Sequence, residues 1–187
     1  MIFVVTAVIG FAFGAGDQYL GSLSLPAALG PWTVSVSQMS ALWLLLPFAF
    51  GCTQDRPRRA MLVGLVATVS GLVGYFAMTV SPVEGVALSD LRSAAVALLR
   101  SNIVVILGGL VTGPGFGLLG QRWRVSRSWS SAALVAGAFL LEPVARRIDG
   151  RLFGPSWVWR AEVTLGACLV VCFLVAGTAR RPSGRTV

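Results

Sequence analysis

The chain is built from long runs of apolar residues separated by short polar stretches. Crossing about 30 Å of hydrocarbon takes roughly 20 mostly apolar helical residues, with about 17 as a working minimum. Runs of that size occupy residues 1–16, 35–53, 60–80, 102–120, 130–146 and 163–179. The pattern predicts an all-α fold: one domain over residues 1–187, a polytopic bundle of six transmembrane helices. One stretch reads differently. In SPVEGVALSDLRSAAVALLR, Ser81 is placed to cap a helix, with Pro82 at its first position and Glu84 three residues after the cap. Leu88, Leu91, Ala95, Leu98 and Leu99 share a face, which predicts an amphipathic helix on the outer surface between the third and fourth spans.

The connecting segments orient the bundle. TQDRPRR, QRWRVSR and ARRPSGR follow the second, fourth and sixth runs, and together hold nine arginines and one acid, Asp55. The opposite side holds six arginines and six acids, a balance of zero. Positive charge stays on the cytoplasmic side of a membrane protein, so both termini are expected inside. Trp32, Trp157 and Trp159 fall at the outer boundary and Trp123 and Trp129 at the inner one, the pattern of an aromatic belt. A rival reading makes MIFVVTAVIGFAFGAG a cleaved signal peptide. It lacks a basic leading segment and ends in a poor cleavage site, so an uncleaved first helix is expected.

Composition removes the soluble alternative. Hydrophobic residues make up 56% of the chain and charged residues 12%, about half the charged share of a soluble domain, and the mean hydropathy is +0.81. The formal charge of +8 raises the question of a nucleic-acid partner. Its location answers it: the excess sits in the cytoplasmic connections, where it orients the chain, and no nucleic acid is expected. Arginine supplies every basic side chain, a usage typical of a GC-rich bacterial genome, and the expected location is the bacterial plasma membrane. Cys168 and Cys172 are four apart on one apolar helix face, and without histidine or a CxxC pair they read as packing residues rather than metal ligands.

Helices in lipid associate through small residues that let backbones approach. Gly10 and Gly14, Ala67 with Gly71, Ser70 with Gly74, and Ala133 with Gly137 all have that spacing. Bundle packing accounts for them, and a docking face for a partner membrane subunit is the other use. Pro47 and Pro114 each stand eight residues before a cytoplasmic charge, Asp55 and Arg122, hence at about 12 Å depth. Proline removes a backbone hydrogen bond and crowds the carbonyl one turn earlier. Two kinks at one depth either open a cavity or sit in an ordinary packed bundle.

Ionisable groups inside a membrane are costly and usually face the protein interior. Counting from Trp129, Glu142 lies about 20 Å up, and Tyr75 lies about 24 Å beyond Arg59. Asp17 closes the first run at a similar height, and Asn102 opens the fourth from the same side. These four side chains belong to four different helices and converge on one layer. Two readings of Glu142 stand. It either lines an outward-opening polar pocket with Asp17, or forms an interfacial salt bridge with Arg146 four residues on.

At GDQYLG, LWLLLPFAFGCTQDRPRRAMLVGL and GYFAMTVSPVEG the chain resembles a family of small actinobacterial membrane proteins of unknown function, most closely from Asp17 to Glu84. That resemblance implies a membrane location and no chemistry. In size and helix count the chain is also similar to the substrate-binding membrane subunits of energy-coupling-factor transporters, a likeness of architecture alone. HExxH, GxSxG, P-loop and dinucleotide motifs are absent, and no cofactor is expected.

Two functions of different class follow. One is a subunit that binds a small lipophilic molecule, or helps to transport it, through a pocket lined by Glu142, Asp17, Tyr75, Asn102 and Trp43. The other is a membrane-embedded enzyme such as an isoprenoid cyclase or isomerase, with Glu142 and Asp17 as acids and Trp43, Phe48, Tyr75, Phe76 and Phe139 facing a carbocation. A structural or assembly subunit without a ligand is the remaining alternative.

Overall fold

A computed structural model describes residues 1–23, 33, 36–37, 39–84, 91–150 and 156–178. Among them every regular element is helical: α1 (Ile2–Ser22), α2 (Ser40–Gly51), α3 (Pro57–Thr79), a 3-10 turn (Pro82–Glu84), α4 (Leu91–Ser101), α5 (Ile103–Ser126), α6 (Trp129–Ile148) and α7 (Ser156–Thr178). Four of these, α1, α3, α5 and α7, are long and apolar enough to cross a membrane. The other two expected spans fall short for different reasons. As a continuous helix α2 has 12 residues, about 18 Å. Helix α6 has 20 residues, but Glu142, Arg146 and Arg147 in its second half lower its hydropathy.

The outer faces identify the solvent. Val4 and Val8 on α1, Val104 and Val111 on α5, and Val171 and Val175 on α7 are all exposed. Soluble proteins do not display apolar surface on that scale. Lipid must cover it, so the helices contact the bilayer.

Small residues set how the helices meet. A Cβ at Gly14 would stand inside the carbonyl of Gly71, one at Gly10 would strike Ser70 and Ala67, and one at Gly74 would strike Phe11. Helices α1 and α3 therefore touch backbone to backbone and run in the same direction. Gly113 and Gly117 of α5 meet Gly64 and Ala60 of α3 in the same way, in opposite directions, and Gly51 of α2 meets Gly117. Gly137 is different. A Cβ there meets nothing within 4 Å, so the spacing with Ala133 packs against no neighbour.

Several local expectations are corrected. Helix α1 continues six residues past the end of its apolar run, to Ser22, which puts Asp17 inside the helix. Hydropathy marks what lipid accepts, whereas backbone hydrogen bonds decide where a helix ends. Pro47 and Pro114 stand inside α2 and α5, as Pro143 does inside α6. A helix that continues past a proline still accommodates a bend, so the two kinks are not among these corrections. The Ser81 hydroxyl turns back to Met78 Sδ at 3.8 Å instead of capping a helix. The amphipathic helix is α4, with Leu91, Ala95 and Leu98 half-buried and Leu99 exposed; Leu88 lies outside the described residues.

Trp123 leaves the aromatic belt for the core. It packs edge-on against Phe173 at 4.7 Å, within a cluster that includes Phe48, Val135 and Ala136. Trp159 is buried too, while Trp129 and Trp157 are exposed; Trp32 lies outside the described residues. Cys168 and Cys172 share a face that is exposed, and of the three cysteines it is Cys52 that makes an interhelical contact, donating to the Gly120 carbonyl at 3.3 Å.

Candidate functional site

A cavity of about 330 Å³ opens between α1, α2, α3 and α5. Asp17 comes from the second half of α1, Trp43 from the first half of α2, and Thr68, Tyr75 and Phe76 from the second half of α3. Asn102, immediately before α5, and Gly109 on it close the remaining side. Helices α2 and α5 run opposite to α1 and α3, so these half-helices all lie at the same end of the bundle. That is why residues far apart in sequence meet.

Each wall has a physical reason for its place. The backbone contact of Gly14 with Gly71 brings α1 and α3 together one turn before Asp17 and Tyr75. Trp43 then fills the angle between them. Its ring stands edge-on to Phe13 at 5.3 Å and to Tyr75 at 6.1 Å, and its Nε1 donates to Asp17 Oδ2 at 3.3 Å. Tyr75 stands edge-on to Phe76 at 5.7 Å. The Asn102 amide donates to the Leu98 carbonyl at 2.9 Å, which ties the end of α4 to the start of α5. Thr68 is 8% exposed, and its hydroxyl lies against Gly113 with no hydrogen-bond partner.

Glu142 stands outside this cavity, in a neighbouring cleft with Ala41, Ala145 and Arg146. Its Oε1 accepts from the Ser40 backbone N–H at 2.8 Å and its Oε2 from that of Ala41 at 2.7 Å. Arg146 adds an ion pair at 2.6 Å, and its guanidinium also reaches the Ser40 hydroxyl at 3.2 Å and lies over the Trp159 ring at 5.7 Å. Glu142 thus supplies, from α6, the cap that α2 lacks in its own sequence. The first N–H groups of a helix have no partner within it and carry partial positive charge, so a carboxylate satisfies them well. Glu142 grips Arg146 and is also largely buried, with its side chain 11% exposed. Ser40 and Leu44 line both cleft and cavity, so Glu142 holds the cavity wall without entering it. Phe48 and Phe139 pack in the buried core and do not line the cavity.

Sequence reasoning missed Glu162. It is 2% exposed on α7, and neither carboxyl oxygen has a hydrogen-bond partner. It faces Glu142 and Arg146. The signal was present: Val158, Trp159, Glu162 and Gly166 form one stripe on α7, and all four are buried.

Fold and cavity together define a class, an all-helical membrane protein with an aromatic-walled cavity at one end of its bundle. The chain belongs to the Family of unknown function (DUF6518), whose model matches residues 1–187. The likeness seen from Asp17 to Glu84 therefore extends over the whole chain. No curated protein and no solved structure matches it, so the likeness to energy-coupling-factor subunits rests on size and helix count alone.

Proposed function

We propose that the protein binds a small, mostly apolar molecule in the cavity between α1, α2, α3 and α5, and presents it to a partner membrane subunit for transport. Six helices cross the plasma membrane of a bacterium in this reading, the second over the apolar run at residues 35–53, with both termini cytoplasmic. Arg56, Arg58 and Arg59 at the start of α3, and Arg122, Arg124 and Arg127 at the end of α5, lie at the end opposite the cavity, so the cavity opens outward in this reading. One observation carries the reading: an open space of about 330 Å³ is walled by Trp43, Tyr75 and Phe76 beside glycine contacts that bring α1, α3 and α5 backbone against backbone. Ligand sites are concave and mostly apolar, with a few convergent polar groups, here Asp17, Asn102 and Thr68.

The catalytic alternative loses its first acid. Glu142 is an acceptor on both oxygens, bound to two backbone N–H groups and an arginine. It is not among the residues lining the cavity, whereas Asp17 is.

Trp43 makes the proposal measurable. Titrating 1-bromonaphthalene into the protein in lipid nanodiscs should quench tryptophan fluorescence saturably. The quenching assigned to Trp43, taken as the difference from Trp43→Phe, should vanish when Thr112→Phe fills the space. Linear, unsaturable quenching that is identical in all three proteins would show only partition into lipid, and would count against the cavity.

A further inference from the structure

We propose that the occupant of this cavity is an organic cation, a small amine or quaternary ammonium with apolar substituents. The inference rests on the reading of the cavity as a binding site and names the chemical class that site selects.

The argument begins with charge. Asp17 is the one carboxylate among the described residues lining the cavity, and no arginine is among them. Arg146, whose guanidinium reaches Ser40 on the shared wall, is committed to Glu142 and Ser40. Asp17 itself accepts a single hydrogen bond, from the Trp43 indole to Oδ2, and Oδ1 has no donor among the described residues. A carboxylate in a membrane bundle ordinarily pairs with a cationic side chain or a network of donors. Among the described residues this one has neither, so nothing described on the wall balances the charge of the carboxylate.

Aromatic geometry points the same way. Trp43 and Tyr75 meet at an interplanar angle of 73°, and Tyr75 and Phe76 at 76°. Rings set at such angles expose their faces in different directions around a common space. The face of an aromatic ring is the negative end of its quadrupole and attracts ammonium groups, most strongly where water is scarce. A carboxylate beside three such rings favours a positive centre over a neutral one. Apolar side chains from Leu72 and Val105 would take the substituents. The described lining offers an anion only neutral donors, among them the Asn102 amide and the hydroxyls of Ser37, Ser40, Thr68, Tyr75 and Thr112, and the anion meets the Asp17 carboxylate.

The test compares a cation with its uncharged twin. Phenethyltrimethylammonium and (3,3-dimethylbutyl)benzene have the same shape and differ in a nitrogen for a carbon. Binding of each is measured by Trp43 fluorescence in phosphatidylcholine nanodiscs, whose zwitterionic surface does not concentrate cations. The cation should bind about tenfold tighter or more. Asp17→Asn keeps an acceptor for the Trp43 indole, so it should retain binding of the hydrocarbon while bringing the ratio close to one. Equal affinities in the unmodified protein, or a preference that survives Asp17→Asn, overturn the cation and leave the cavity reading intact. Failure of both probes to bind overturns both. Should Asp17→Asn not fold, the ratio in the unmodified protein decides alone.

Discussion

Glu142→Gln is expected to lower the unfolding temperature of the detergent-solubilised protein by roughly 6–12 °C, the equivalent of about 3 kcal/mol. The substitution keeps the shape of the side chain and one acceptor. It removes the charge that Arg146 and the start of α2 share, and leaves a mostly buried guanidinium without its closest partner. Breaking a buried pair costs about 3–5 kcal/mol. The lower end applies because Glu162 faces the same arginine and takes part of the load. Glu162→Gln should move the temperature the other way. Its carboxyl is buried beside the like-charged Glu142, and a neutral amide in its place removes that repulsion and can donate to Glu142. Differential scanning fluorimetry of the two variants reads both signs. Equal behaviour of the pair would remove the capping role assigned to Glu142. Because Ser40 lies on the cavity wall, Glu142→Gln should also weaken 1-bromonaphthalene binding although it touches no ligand.

The second large effect lies where α1 meets α3. Gly14→Ala places a methyl on the carbonyl of Gly71, backbone against backbone, with no flexible side chain to give way. The helices must part, at a cost of about 1–3 kcal/mol. Asp17 is three residues further along α1, so parting also draws its carboxylate from the Trp43 indole and widens the cavity. Gly137→Ala is the matched control. That Cβ enters open space, and alanine holds a helix better than glycine by roughly 0.5–1 kcal/mol. Thermal unfolding should therefore fall in the first variant and hold or rise in the second, with ligand-induced quenching reduced only in the first. A loss of equal size in both would mean that glycine matters here for the helix alone and not for the contact.

Much of the fold was legible in the amino acids. Apolar runs located α1, α3, α5, α6 and α7, with ends that differ by up to seven residues, because the hydrocarbon that each helix needs is a property of its own composition. Spacing of Gly10, Gly14, Ala67, Gly71 and Gly74 marked the closest helix pair, since only small residues permit that approach. Counting the rise per residue from Trp129 and Arg59 set Glu142 and Tyr75 at similar heights, and the ends of the first and fourth runs set Asp17 and Asn102 beside them. Gly137 had the same spacing as the true contacts and no neighbour, which shows the limit of such signals.

Height along a helix is local; rotation about its axis is not. Nothing within GAFLLEPVARR states that Glu142 turns toward Ser40 and Ala41 rather than toward Asp17, because its partners are backbone N–H groups of another helix whose end becomes defined when the bundle forms. Trp123 reads as a boundary residue until α7 brings Phe173 against it. The amino acids alone determined which segments prefer lipid, where small residues let helices touch, and how deep each polar group sits. The tertiary structure alone decided which polar groups face one another, since that depends on the azimuth of every helix against neighbours up to a hundred residues away.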